Sequence, residues 1–159
     1  MKASFEAPTA ANAQELKALF AALVLSGDEV SFRPHPMTDA YVDWLISYGG
    51  RDVYVVVMED GRATGYGLLR GWDAGYAIPS LGIAVHPEAR GRGVAKALMS
   101  HLHDVARQRG ADSVRLRVYP ENVMARDLYA ALGYGFASQL EEGQLVGMLD
   151  LAGAVPGVA

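Results

Sequence analysis

Between residues 83 and 95 the chain reads Ile83-Ala84-Val85-His86-Pro87-Glu88-Ala89-Arg90-Gly91-Arg92-Gly93-Val94-Ala95. Ile83-Ala84-Val85 predicts the end of a strand, and Pro87, lacking an N–H, stops its ladder. A loop with glycines at 91 and 93 then opens a helix. Its apolar residues Val94, Leu98, Leu102 and Val105 recur at about helical spacing, and Gly110 ends it. The first turn of a helix leaves backbone N–H groups unpaired, and the helix dipole adds partial positive charge there. Gly91 and Gly93 carry no Cβ, so an anion can approach the backbone closely. Arg90, Gly91, Arg92, Gly93, Val94, Ala95 and Lys96 therefore form a candidate cradle for a phosphate or pyrophosphate, with Arg90 and Arg92 adding charge at its rim. A P-loop does not fit, because no Lys-Ser/Thr pair follows Gly93. A dinucleotide fingerprint does not fit either, because it belongs in an N-terminal βαβ unit. Taken alone, the loop is explained as well by a tight strand–helix connection with two turn glycines.

Upstream, Val53 to Met58 is a continuous β-branched and aromatic run, as in a buried strand. Glu59-Asp60-Gly61-Arg62 is a hairpin turn. Ala63 to Trp72 is the returning strand, and Tyr76 to Val85 completes an antiparallel meander. Nearer the N-terminus, Ser4 to Ala7 predicts a short strand and Thr9 an N-cap. Leu16, Leu19, Phe20, Leu23 and Val24 make one helical stripe ended by Gly27. Ser31 to Met37 contains two prolines and is not a regular helix. Thr38 caps a second helix that runs through Trp44 to Tyr48 and stops at Gly49-Gly50. Downstream, Val114 to Val118 alternates apolar residues with Arg. Met124, Leu128 and Leu132 mark a last helix, ended by Gly133. Tyr134 to Gln139 and Gln144 to Leu151 predict a closing hairpin. This order of elements belongs to a mixed α/β (α+β) domain around one central sheet, spanning 1–151, with 152–159 as a flexible tail.

Composition narrows the function classes. The 159 residues are 51% hydrophobic, with a net charge of −4 and no block of Lys or Arg, so nucleic acid is not the expected partner. No run approaches the ~18 apolar residues that span a membrane, and no signal-peptide pattern opens the chain, so the cytoplasm is the expected location. Cysteine is absent, which excludes disulfides, thiolate metal sites and a cysteine nucleophile. His101 and His103 are two apart and point to different sides of a helix, so no metal site is expected.

A second segment, Asn122-Val123-Met124-Ala125-Arg126-Asp127-Leu128-Tyr129-Ala130-Ala131-Leu132-Gly133-Tyr134, opens a helix directly after a strand. Asn122 and Tyr129 are seven apart and share one face. With both motifs in this order, the chain resembles the GNAT superfamily of N-acetyltransferases from Leu81 to Phe136. The resemblance implies a mostly antiparallel sheet of about seven strands, splayed between the fourth and fifth, with about four flanking helices. It implies acetyl-CoA as co-substrate, its pyrophosphate on Arg90 to Lys96 and its pantetheine arm along Ile83, Ala84 and Val85. It also implies a cofactor contact at Asn122, Tyr129 as general acid, and direct transfer to a primary amine; Arg117 and the compact chain favour an amine on a small molecule. A homodimer paired through sheet edges is the assembly it suggests.

The base is harder to find. An alkylamine with a pKa near ~10 is about 99.9% protonated at pH 7, so a proton must be removed. Members with a carboxylate on the splayed strands have no counterpart at Ile78 to Gly82 or Val114 to Val118. Members that acetylate ribosomal-protein N-termini carry a Glu five residues before the Asn, where this chain has Arg117. Ser80 can orient a water, and His35, in Arg33-Pro34-His35-Pro36, is the candidate base. Arg115 and Arg117 share a strand face that solvates the sheet or meets a CoA phosphate or an acidic acceptor. Tyr76 and Trp72 flank a turn that is a candidate wall of the acceptor pocket. A protein Lys or N-terminal acetyltransferase, and a non-catalytic acyl-CoA sensor, stay open as alternatives.

Overall fold

A computed structural model of the chain describes residues 3–28, 32 and 34–151. The strands are β1 (Ala3–Glu6), β2 (Val53–Glu59), β3 (Arg62–Arg70), β4 (Ser80–Val85), β5 (Ser113–Val118), β6 (Gly135–Phe136) and β7 (Leu145–Asp150). The helices are α1 (Ala13–Ser26), α2 (Asp39–Ser47), α3 (Val94–Gln108) and α4 (Val123–Ala131). The seven strands form one sheet in the order β1-β2-β3-β4-β5-β7-β6. Every pairing is antiparallel except β4 with β5, which is parallel. The mixed α/β fold with a mostly antiparallel sheet is thus as the sequence implies. The predicted tail at 152–159 lies outside the described residues, as do Ser31 and Arg33 of the proline-bearing segment.

Alternation along the strands sends side chains to two cores. Tyr54, Val56, Tyr66 and Leu68 face α1 and α2, where Leu16, Phe20, Leu23 and Val42 are buried. Val55, Val57, Leu69, Val114 and Leu116 face α3, meeting Val94, Leu98, Met99 and Leu102. This is why Val53 to Met58 reads as continuously apolar: both sides of the strand are covered. Gly67 lets α3 lie close to the sheet, because a Cβ there would stand 2.9 Å from a Leu102 methyl and 3.1 Å from one of Leu98. The position of α3 fixes where its N-terminus emerges, at the C-terminal end of β4.

Local signals hold unevenly. The Thr38 hydroxyl accepts from the Tyr41 N–H, as an N-cap should. α1 starts later than Thr9 predicts. Asn12 occupies the cap position, and its side chain folds the preceding loop instead, accepting from the Thr9 N–H and donating to the Ala7 carbonyl, both at 2.9 Å. β1 is shifted by one residue from Ser4–Ala7. The strands expected at 63–72 and 76–85 stop at Arg70 and resume at Ser80. The N–H groups of Ala74 and Tyr76 fold back on the Gly71 carbonyl, and Pro79 has no N–H to offer, so 71–79 is a loop. The closing strand expected at 134–139 shortens to Gly135–Phe136. After Ala137, whose N–H reaches the Val146 carbonyl, the chain leaves β7 for a tight turn. No helix of the described residues is long and apolar enough to cross a membrane.

Leu98 is fully buried between α3 and the sheet. Leu98→Ala is expected to lower stability by about 2–5 kcal/mol, read as a reduced urea midpoint with an unchanged slope.

Candidate active site

β4 and β5 share one register pair, Ser80 with Arg115, reinforced by the Arg115 N–H donating to the Pro79 carbonyl at 3.0 Å. Past that point β5 pairs only with β7, and β4 only with β3. The facing edges of the two strands therefore diverge toward their C-terminal ends, and along Ile83, Ala84 and Val85 β4 has no register partner on β5. A short 3-10 turn, Pro87–Ala89, follows β4. His86 accepts the Glu88 N–H there, a turn-forming role.

The loop beyond it has the geometry of an anion seat. Gly91 and Gly93 hold φ of 77° and 83°, a left-handed conformation that favours glycine, and no atom lies within 4 Å of where a Cβ would stand. Gly93 caps α3 without any side-chain hydrogen bond, and the first turn carries no acidic residue. Its N–H groups, at Val94, Ala95 and Lys96, are thus open to an anionic ligand. The arginines at the rim are partly engaged. Arg90 pairs with Asp28 just past α1 and reaches the Val85 carbonyl. Arg92 donates to the Ala89 carbonyl and stands 3.7 Å from buried Glu59. Burial opposes ionisation of Asp28, yet the Ser26 hydroxyl and Arg90 hold its carboxyl below the usual range.

α4 follows β5 directly. The Asn122 Oδ1 caps it by accepting from the Ala125 N–H at 3.3 Å. Tyr129 packs half-buried against the α3-side core, its ring 5.9 Å from that of Tyr134. Its hydroxyl makes no hydrogen bond among the described residues and is not sealed from solvent. Burial raises its pKa to about 12, so it holds its proton at neutral pH.

On the opposite face of the sheet, a cleft of about 1000 Å³ opens against β3, β4 and β5. Ser80, Gly82, Arg70, Arg115 and Arg117 line it from the strands, and Phe32 and Pro34 from the segment after α1. Tyr76, 69% exposed, lines it from the 71–79 loop, whereas Trp72 lies elsewhere, beneath the Arg109 guanidinium. Carboxylates do reach this cleft, although not from the strands. Glu141 and Glu142 sit on the turn before β7, where Glu142 and Gly143 both hold positive φ (51° and 79°). Glu141 pairs with Arg115 at 2.9 Å and Glu142 with Arg117 at 3.1 Å. Alternating Arg on one strand, and a Glu-Glu-Gly turn 25 residues on, was the available signal. It needs the β5–β7 pairing to be read.

Ser80 is in the cleft, but His35 is not among its lining residues. His35 is 6% exposed, its ring stacked on Tyr41 at 3.7 Å between centroids. Nδ1–H donates to the Pro36 carbonyl at 2.9 Å, so Nε2 accepts from the Tyr66 hydroxyl at 2.7 Å. Burial, aided by the Arg70 charge and opposed by the Pro36 carbonyl, brings its pKa down to about 4. His103 is similarly enclosed, bonded to the Tyr134 hydroxyl at 2.7 Å and lowered to about 4 by burial first and Arg107 second.

The sheet thus parts beyond its one parallel pair, and a glycine-bearing helix N-terminus stands at the C-terminal end of β4. A family model described as the Acetyltransferase (GNAT) family matches residues 18–134, and the chain belongs to that family, whose acetyl donor is acetyl-CoA. Solved structures share the fold at low identity. The GNAT domain of Streptomyces lividans PAT superposes with a TM-score of 0.78 at 20% identity, covering 93% of this chain and 90% of that one. The yncA protein of Salmonella typhimurium, solved with its cofactor acetyl-CoA, gives 0.72 at 21%, covering 95% of each. The ribosomal-protein-S18-alanine N-acetyltransferase of Escherichia coli gives 0.70 at 17%, covering 99% of each.

His35 and His103 are neutral in the fold but take up protons near pH 6.5 when unfolded. The unfolded state then binds more protons, so their contribution to stability is complete above pH 6.5 and declines as the pH falls toward 4. Urea unfolding at pH 7 and pH 5 should show that decline, and His103→Gln should make it smaller.

Proposed function

We propose that this chain transfers the acetyl group of acetyl-CoA directly to a primary amine on a small molecule, with both substrates held at once. The observation that carries the proposal is the parting of β4 from β5, which joins the open N-terminus of α3 at one end to the lined cleft at the other. Acetyl-CoA supplies an activated thioester and a thiol whose ordinary pKa is about 8.5. Gly91, Gly93 and the first N–H groups of α3 bind the pyrophosphate, Arg90 and Arg92 framing it. The diverging stretch of Ile83, Ala84 and Val85 orients the pantetheine arm, and the Asn122 amide N–H₂, unused in capping, is a further donor. Backbone N–H groups on that stretch stabilise the developing oxyanion.

Tyr129 gives its proton to the departing sulfur as the C–N bond forms and the C–S bond breaks. The surplus ammonium proton leaves by way of the cleft, to a water held by Ser80 or to a carboxylate of the 141–142 turn. His35, enclosed and committed at both ring nitrogens, is not assigned that task. A protein Lys or N-terminal acceptor is the competing reading, and a peptide in the acceptor panel tests it.

Titration calorimetry should show binding of acetyl-CoA and none of ATP or NAD, and thiol release across an amine panel should identify the acceptor class. Absence of acetyl-CoA binding by a folded sample would sink the cradle assignment. Tyr129→Phe should lower turnover about 100-fold while leaving acetyl-CoA affinity within about twofold, the scale of a lost general acid. Equal loss of both would make Tyr129 a packing residue. Gly93→Asp, which sets a side chain and a like charge against the pyrophosphate at a left-handed position, should abolish binding in a folded protein.

A further inference from the structure

Arg70, Ser80 and Arg115 form one row across the sheet. Arg70 is the register partner of Ser80 on the neighbouring strand, and Ser80 is the register partner of Arg115 on the next. All three face the cleft. The next row toward the parting holds Gly82, on β4, which offers no side chain, and Arg117, on β5, with Glu142 drawn over it. The cleft therefore has two ends of different character.

The charges at those ends do not balance alike. Arg115 and Arg117 are neutralised by Glu141 and Glu142. The carboxylates of Asp52 and Asp73, also on the cleft wall, accept from neutral donors, the N–H groups of Gly71, Asp73 and Arg51 and the Tyr48 hydroxyl, and so keep their negative charge. Arg70 is different. Among the described residues it pairs with no carboxylate, and its one hydrogen bond, from Nη1 to the Pro34 carbonyl at 2.5 Å, steadies the guanidinium without cancelling its charge. A guanidinium held this way keeps donors free for a planar anion.

Resting on the acetyltransferase reading above, we infer that the acceptor is a free amino acid, its carboxylate bound by Arg70 beside Ser80 and its amine directed toward the Glu141–Glu142 turn and the parting of β4 and β5. A guanidinium paired with no carboxylate among the described residues matches one carboxylate, and the negative charges of Asp52 and Asp73 on the same wall oppose the second charge of a phosphate dianion. The two rows are two residues apart along the strand, about 7 Å, which the reach of an arginine side chain brings to the scale of an amino-acid backbone. A lysine side chain within a protein carries no carboxylate at that distance from its amine.

The test compares thiol release for each common amino acid with its carboxamide, which keeps the shape and loses the charge, and with its decarboxylated amine. Phosphoethanolamine and a lysine-bearing peptide complete the panel. At least one amino acid should exceed its carboxamide by about tenfold or more in kcat/KM, the worth of a charge-assisted hydrogen bond. Arg70→Gln should cut that advantage to about threefold or less, mainly through KM, and Arg70→Lys should keep part of it, acetyl-CoA affinity serving as the check on folding. The inference is overturned if carboxamides, simple amines, phosphoethanolamine or the peptide are preferred, or if the acid's advantage survives Arg70→Gln, and in each case the transferase reading stands. If acetyl-CoA binds but nothing on the panel releases thiol, the transferase reading itself fails and the inference falls with it.

Discussion

Ser80 and Arg115 are the last residues that β4 and β5 hold in register, and the architecture of the site depends on the two strands parting there. A backbone N–H or carbonyl facing a gap inside a sheet needs a partner, because unpaired buried groups cost as much as a lost hydrogen bond. Such an edge persists only where water or a ligand meets it. The rest of the molecule holds the parting open. β3 secures β4 from one side along six register pairs, and β7 secures β5 from the other along six. α3 packs close over β3, so that its uncapped end faces the gap from the β4 side. α4 begins a few residues after β5.

Two kinds of polar group are kept apart in this frame. The imidazoles of His35 and His103 are enclosed, each bonded to a tyrosine hydroxyl, and burial keeps both neutral. They serve as uncharged hydrogen-bonding members of the two cores. The charged groups stand instead along the cleft and the anion loop, mostly in pairs that leave some solvent access: Arg115 with Glu141, Arg117 with Glu142, Arg90 with Asp28. Exposed pairs of this kind contribute little to stability. In the cleft, Arg115 and Arg117 are paired with carboxylates, whereas Arg70 meets none among the described residues.

The conformation of the glycine loop was legible because its determinants are local. Strand end, proline, two glycines and helix start follow one another within Ile83 to Ala95, and both glycines take the positive φ that the pattern implies. The helix that carries Tyr129 was legible for the same reason, as was the sheet, whose alternating and continuous apolar runs state which faces are covered. The cleft was not. Glu141 and Glu142 come to Arg115 and Arg117 only through the register of β5 with β7, a relation between segments some 25 residues apart. His35 misled in the opposite sense. Its place between two prolines suggested a loop side chain free to act on substrate, but packing on Tyr41 and Tyr66 drew it into the core. The 71–79 loop misled because Tyr76, Ala77 and Ile78 look like strand residues, while the backbone bonds to Gly71 and the missing N–H of Pro79 forbid the ladder.

The two halves of the site are built from different materials, and this explains what the comparisons determine. The donor half, as proposed, is mostly backbone: a parted strand edge, two glycines and the first turn of a helix. Such a site tolerates wide change in side chains, which fits a fold shared at TM-scores of 0.70 to 0.78 with proteins only 17–21% identical. The acceptor half is side chains throughout, from Arg70 and Ser80 to the Glu141–Glu142 turn, and none of these is needed to keep the strands apart. Family membership therefore specifies the donor and leaves the acceptor to be read from this chain's own charges. Among those, the guanidinium of Arg70, held by a carbonyl and met by no carboxylate among the described residues, is the charge on which the proposed acceptor rests.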